Sequence, residues 1–144
     1  MDYVGKMMVK RVDPEAITPF KTHETDAGYD LTAIKIHKVI SKKIIMFDTG
    51  IQIQVPKGYY TEIVPRSSLV KTGWMLANSV GIIDNTYTGN IFVVLIKVDD
   101  TMPDIELPFR GFQLLIRKQF HLEIEECENI VETERGDGGF GSTN

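Results

Sequence analysis

Apolar and polar residues alternate along residues 51–55, where isoleucine or valine occupies the odd positions and glutamine the even ones. A period of two places the apolar side chains on one face of a strand and the polar side chains on the other. Leu122 and Ile124 repeat the pattern by alternating with glutamates. Both segments are therefore predicted to be half-buried β-strands.

A second strand signal is the apolar run at residues 91–98, which is rich in β-branched side chains. A helix is possible there, but β-propensity and the preceding turn residues favour a buried strand. Further strands are predicted at residues 34–40, 44–47, 61–64 and 112–120, and turns at residues 48–50, 56–58, 88–90 and 102–104.

Helical signals are nearly lacking. The best candidate is a short helix at residues 67–72, with Ser67 as its N-cap and Gly73 after its end. We find no internal repeat and no interdomain linker. The chain is therefore predicted to be one all-β domain over residues 1–144, a sandwich or barrel with its core at about residues 1–131.

The C-terminal segment differs from the rest because residues 135–144 hold too much glycine for a strand or helix. One interpretation is a disordered terminus, the usual fate of chain ends. The segment also carries a cation, an aromatic ring and two hydroxyls, which a spacer does not need. A second interpretation is a mobile lid, at about residues 132–144, that orders on a ligand.

The net charge and the composition limit the classes of partner that the chain is expected to bind. The formal net charge of -4 supplies no basic field for nucleic acid or an anionic membrane. An anionic ligand would therefore need local cations and a metal ion. The single cysteine, Cys127, excludes an internal disulfide. With no signal peptide and no apolar run of bilayer length, a cytoplasmic protein without nucleic-acid or membrane partners is expected.

Three short segments suggest chemistry, although each has an equally simple structural explanation. Residues 65–68 offer a guanidinium and two hydroxyls for phosphate, or merely a helix cap. Residues 81–89 place an acid and a tyrosine on a turn, which suits water activation or a plain hairpin. Residues 26–31 form a glycine-containing bend with two acids, or simply the entry to a strand.

The order of the segments is more informative than any one of them. Taken with two later segments, they form a series of five that resembles the motifs of the trimeric dUTPase family, the deoxyuridine triphosphate nucleotidohydrolases. The match extends from about Val9 to the C-terminus, and residues 76–81 are similar to the bacterial-type uracil pocket. The five motifs are residues 27–31, 65–68, 81–89, 110–114 and 135–143.

This resemblance implies a fold, a reaction and an assembly. The fold is a jelly-roll-like β-barrel, the dUTPase-like β-clip. The reaction is hydrolysis of dUTP to dUMP and pyrophosphate with Mg²⁺, which keeps uracil out of DNA and supplies dUMP for thymidylate synthesis. The assembly is a homotrimer with shared active sites, in which the C-terminal arm of one subunit closes over a site formed by the other two.

The resemblance also assigns roles to individual residues. Asp84 matches the acid that activates water for attack on the α-phosphorus, and Tyr87 matches the ring that packs on deoxyribose and excludes a 2′-hydroxyl. Asp30 matches an acid that reaches magnesium through water. The base and sugar contacts are Asn78, Gly81, Ile82, Ile83, Tyr87 and Phe140. The phosphate contacts are Arg66, Ser67, Ser68, Gln113, Arg135, Gly141, Ser142 and Thr143.

Some positions depart from the family pattern. Ser68 replaces a common glycine, Thr86 replaces a common aspartate, and residues 109–112 diverge in the fourth motif. The sister family, dCTP deaminase, needs a glutamate where this chain has Val94, so deamination is not expected. Two rival functions compete with catalysis on the same scaffold: a catalytically silent nucleotide sensor, and a jelly-roll structural protein such as a capsid component.

Overall fold

The computed structural model describes residues 2–142, which contain ten β-strands and one short 3₁₀-helix. The helix, at Ser67–Lys71, lies between the sixth and seventh strands. The strands are β1 (Met8–Arg11), β2 (Tyr29–Ala33), β3 (Lys35–Val39), β4 (Ile44–Asp48), β5 (Ile51–Gln54), β6 (Tyr59–Pro65), β7 (Trp74–Leu76), β8 (Gly81–Ile83), β9 (Phe92–Lys97) and β10 (Phe109–Lys118).

The strands form two four-stranded sheets, in the orders β2-β10-β6-β8 and β3-β4-β9-β7, and a two-stranded β1-β5 ribbon. Every pairing is antiparallel. Side chains from both larger sheets meet in one core, where Phe47 and Leu95 lie against the layer of Leu31, Phe112 and Leu114. This arrangement confirms the predicted all-β, jelly-roll-like fold.

The two strongest strand predictions are confirmed. Ile51 and Ile53 of β5 are buried, while Gln52 and Gln54 are not. The apolar run at residues 91–98 contains β9, which lies between β4 and β7. The helical interpretation of that run is therefore wrong.

The strand predicted around Leu122 and Ile124 is wrong. This stretch belongs to no strand, and its two apolar side chains are 90% and 96% exposed. A strand requires a partner for its backbone N–H and C=O groups, and none of the described residues supplies one. The alternation therefore marks a face that this chain alone leaves uncovered.

The short helix is confirmed, but its predicted cap is wrong. Arg66 occupies the N-cap position, with φ −76° and ψ 155°, and makes no side-chain capping bond. Ser67 lies inside the first turn instead. Gly73 follows the C-cap residue Thr72 as predicted, and its φ of 78° is a left-handed conformation that glycine adopts without strain. None of the helices in residues 2–142 is long and apolar enough to span a bilayer.

Candidate functional site

A cavity of roughly 220 Å³ lies where β8 ends and the loop to β9 begins. All predicted base and sugar contacts except Phe140 line it, together with Asp84. The cavity is smaller than the sites of drug-sized ligands, which are about 300–1,000 Å³, and suits a single ring system. Its lining residues are Ile63, Asn78, Gly81, Ile82, Ile83, Asp84, Tyr87, Asn90, Ile91 and Phe92.

The backbone at the mouth of this cavity is shaped by a tight turn. Ser79 has a φ of 63°, and the N–H of Val80 donates to the carbonyl of Asn78. A Cβ on Gly81 would lie 3.3 Å from the Cβ of Ile63 and 3.5 Å from the amide nitrogen of Asn78. A glycine at position 81 therefore lets the backbone and the Asn78 amide reach the cavity together. Free backbone groups and an amide are the means by which a pocket reads the edge of a flat polar ring.

The loop after β8 is held in place by Asn85. Its side-chain amide nitrogen donates to the carbonyl oxygens of Tyr59 at 2.9 Å, Pro56 at 3.0 Å and Val55 at 3.3 Å. A backbone bond from the N–H of Tyr87 to the carbonyl of Asp84, at 3.0 Å, closes the turn itself. The exposed carboxylate of Asp84 therefore lies on a loop whose backbone is anchored through Asn85.

Replacing Asn85 with aspartate is expected to destabilise the fold. The new carboxylate would face three carbonyl oxygens and remove the donor that Asn85 gives them, which costs about 1–3 kcal/mol. Urea unfolding at a fixed protein concentration measures the change in free energy. Asn129→Asp, which makes the same chemical change at an exposed position, is the matched control. Equal stability of the two variants would contradict this account of the anchor.

A second group of predicted residues lies where β2, β6 and β10 meet. The carboxylate of Asp30 is 12% exposed and forms ion pairs with Arg66, at 3.1 Å, and Arg110, at 3.7 Å. Arg66 also donates to the carbonyl of Arg110 at 2.8 Å. Two guanidinium groups held side by side form a local cationic site on a chain of net negative charge.

Gln113 belongs to the same group. It faces Asp30 across the β2-β10 ladder, and its amide donates to the carbonyl of Pro65 at 3.1 Å. Its side chain also packs so closely on Gly28 that no Cβ would fit there. Ser67 and Ser68 follow at the start of the short helix, where both are exposed. The structure therefore brings Asp30, the predicted indirect magnesium contact of the first motif, together with the predicted phosphate contacts of the second and fourth motifs.

Asp84 and Arg66 lie near opposite ends of β6, while the cavity reaches the middle of that strand at Ile63. Thr61 pairs with Ile83, just before Asp84, whereas Arg66 is five residues further along. At about 3.3 Å per residue, the backbones of Asp84 and Arg66 are roughly 17–20 Å apart. Within one chain, the backbone that carries Asp84 is therefore distant from the backbone that carries Arg66.

The C-terminal segment forms a third, separate location. Its hydrogen bonds up to Ser142 are local: Arg135 donates to the carbonyl of Gly138 at 2.7 Å, and the N–H of Gly139 donates to the Ser142 hydroxyl at 2.8 Å. The Phe140 ring is fully exposed, and Gly141 has a φ of 82°. The remaining predicted contact, Thr143, lies outside the described residues.

The protein groups suit a magnesium ion that arrives with its ligand. Residues 2–142 contain no cluster of three or more His, Cys, Asp or Glu side chains that could hold a metal by themselves. Asp30 is the acid of the cationic group, and each of its oxygens already faces one guanidinium. Mg²⁺ keeps several water ligands in most sites, so one acid reached through water fits this arrangement.

Four residues near these groups have no role predicted from the sequence. Arg110 stands next to divergent positions of the fourth motif, and its pairing with Asp30 becomes visible only in the strand register. The sequence around Asn85 predicts only a turn. Asp48 and Asn90, 42 residues apart, hydrogen-bond at the edge of the cavity. No local pattern signals such a distant pair.

Comparisons of the sequence and of the structure with known proteins point to the same family. The family model for dUTPase matches residues 14–144. Deoxyuridine 5′-triphosphate nucleotidohydrolase of Clostridium novyi is 38% identical over 141 residues, covering 96% of this chain and 98% of that one. The enzyme of the same name from Corynebacterium diphtheriae is 40% identical over 137 residues, covering 94% and 90%.

Solved structures share the fold. A mutant dUTPase of Staphylococcus bacteriophage 80alpha with dUpNHpp superposes with a TM-score of 0.82 at 24% identity, covering 96% of this chain and 98% of that one. A mutant dUTPase from phage phi11 of S. aureus, described with a structural Mg(II) ion, superposes with a TM-score of 0.74 at 19% identity, covering 89% and 100%. From the matched family model and these full-length relatives, the chain belongs to the dUTPase family of nucleotidohydrolases.

Proposed function

We propose that this chain hydrolyses dUTP to dUMP and pyrophosphate by attack of water on the α-phosphorus. The observation that carries the proposal is the convergence of Asn78, Asp84 and Tyr87 on one cavity sized for a single ring. Relatives that align with nearly the whole chain bear the name of this activity. Removal of dUTP would keep uracil out of DNA, and the dUMP formed would supply thymidylate synthesis.

The cavity would hold the uracil ring, and the sugar would lie beside Tyr87. Asn78 and the backbone of Gly81, Ile82 and Ile83 offer donors and acceptors to the polar edge of the ring. Cytosine presents the opposite donor–acceptor order, so its binding would leave buried groups unpaired, at a cost of about 1–3 kcal/mol each. Tyr87 would pack on deoxyribose and leave no room for a 2′-hydroxyl.

Asp84 would act as the general base. An exposed carboxylate on a fixed loop can accept a hydrogen bond from water and remove its proton as the oxygen attacks phosphorus. The anchoring of the neighbouring residue Asn85 holds the backbone that carries this carboxylate. The leaving pyrophosphate then departs in line with the attacking oxygen.

The triphosphate would lie against the cationic group. Arg66, Ser67, Ser68 and Gln113 offer the donors, with Arg110 beside them. Magnesium bound to the triphosphate would neutralise part of its charge, with Asp30 in contact through water. When phosphates approach, Arg66 can exchange its bond with Asp30 for bonds to phosphate oxygens.

The distance along β6 argues that more than one copy builds each site. Asp84 of one subunit would act beside the cationic group of another, because the backbones of Asp84 and Arg66 in one chain lie roughly 17–20 Å apart. The uncovered apolar side chains of Phe120, Leu122 and Ile124 need burial that this chain does not provide. A homotrimer with shared sites satisfies both requirements.

Residues 132–144 would form a lid over a core of residues 1–131. Phe140 is free to stack on the base, while Arg135, Gly141, Ser142 and Thr143 would bind the terminal phosphates. Since the hydrogen bonds of the described part of this segment are local, it can move without disturbing the core.

One experiment tests the reaction and its main rival together. The protein is incubated with each nucleoside and deoxynucleoside triphosphate, with and without Mg²⁺, and pyrophosphate and ammonia are measured separately. We expect pyrophosphate from dUTP alone, only with Mg²⁺, and no ammonia from dCTP. Ammonia release would indicate a deaminase, and the lack of any product would indicate a nucleotide-binding protein without catalysis.

A further inference from the structure

The ring of Tyr87 is held at two points within its own loop. Its hydroxyl donates to the backbone carbonyl of Asn90 at 2.7 Å. The ring also lies against Gly89, where an added Cβ would be 2.7 Å from the hydroxyl oxygen and 2.9 Å from Cζ. The position of this ring therefore depends on where the backbone of residues 89 and 90 stands.

The side chain of Asn90 ties that backbone to the body of the protein. Its amide nitrogen donates to both carboxylate oxygens of Asp48, at 3.2 and 3.3 Å. Its amide oxygen accepts a bond from Gln52 at 3.0 Å. Asp48 is only 4% exposed, and it also accepts a bond from the N–H of Gly50 at 2.7 Å. This partly buried network resists displacement of the loop, because a displacement would leave a polar group unpaired.

We propose that Asp48 and Asn90 are positioning residues that fix the Tyr87 ring and thereby set the preference for deoxyribose over ribose. The inference rests on the proposed function, in which Tyr87 packs on the sugar. It assigns a cause to the rigidity of that wall: a ring that could retreat by a fraction of an ångström would admit a 2′-hydroxyl. Asp84 has a separate anchor in Asn85, so the chemical step does not depend on this pair.

The test compares kcat and KM for dUTP and UTP in the assembled protein. Asn90→Asp places a second carboxylate against Asp48 and should displace the loop. We expect the ratio of kcat/KM for dUTP to that for UTP to fall about tenfold, which corresponds to about 1.4 kcal/mol.

A reciprocal exchange provides the rescue. Asp48→Asn combined with Asn90→Asp reverses donor and acceptor without changing the net charge, so selectivity should return toward that of the parent protein. Tyr87→Phe removes the tether but keeps the ring, and it should relax selectivity even if Asn90→Asp folds poorly. Asn129→Asp, at an exposed position, controls for the added charge.

The outcomes separate the two proposals. A parent protein that does not cleave dUTP would overturn the proposed function and this inference with it. A selective parent whose preference survives in both Asn90→Asp and Tyr87→Phe would overturn the positioning role alone. Equal losses of kcat on both nucleotides, accompanied by a lower Tm, would also overturn it, since that pattern reports only damage to the fold.

Discussion

Replacement of Asp84 by asparagine is expected to lower kcat for dUTP by about 10²–10⁴-fold, the usual contribution of a positioned general base. Asparagine keeps the size and shape of the side chain but has no site that can take a proton from water. Asp84 stands at the edge of the cavity, and the hydrogen bonds that hold its loop come from Asn85 and not from its own carboxylate. The substitution should therefore lower kcat and leave the fold nearly unchanged.

The measurement is pyrophosphate release under saturating dUTP, with affinity for the nucleotide measured separately by calorimetry. Affinity should stay close to that of the parent, because the carboxylate acts on water rather than on the base or sugar. Asp100→Asn, which changes an aspartate that is 72% exposed, is the matched control. Near-normal turnover in the Asp84 variant would remove Asp84 from the mechanism.

Truncation before Arg135 is expected to remove most of the activity while the assembly survives. The described hydrogen bonds of residues 135–142 reach no further into the chain than Thr133, and the Phe140 ring packs on none of residues 2–142, so the core loses no support. The site loses its stacking ring, whose contact with a base contributes about 1–3 kcal/mol. It also loses a cation and the hydroxyls that would bind phosphate.

Two measurements are needed for the truncated protein. Light scattering after size exclusion should give the same mass per assembly, apart from the missing residues. The value of kcat/KM should fall by at least about tenfold, since 1.4 kcal/mol corresponds to a factor of ten. Phe140→Ala in the full chain should cause part of that loss. Full activity without the segment would show that it is not a lid.

Strand prediction succeeded where a segment was long enough to show its period. Residues 51–54 display two cycles of alternation, and residues 91–98 form a long β-branched run. By contrast, β7 and β8 have only three residues each, too few for a period to stand out, and the four residues of β1 do not alternate. The strand predicted around Leu122 was wrong for another reason. Alternation indicates that one face of a segment is apolar, but it does not indicate which chain packs against that face.

The candidate site was likewise predictable from the sequence only in part. Asn78, Asp84 and Tyr87 lie within ten residues of one another, so a single loop brings them to one cavity. Their distance from Arg66 depends on the register of β6 with β8, which no local pattern specifies. The pair of Asp48 and Asn90 joins the end of β4 to the loop before β9, 42 residues away, and only the folded chain brings them together.

The placement of Asp84 and Arg66 at opposite ends of β6 bears on how the activity would respond to protein concentration. If sites are shared, a lone chain carries every reactive group and still performs no chemistry. Dilution below the dissociation constant of the trimer would then silence the protein while each of its strands remained folded. The total activity would then rise more steeply than the concentration of the protein. The arrangement of the site would thereby give the cell a concentration threshold for this activity.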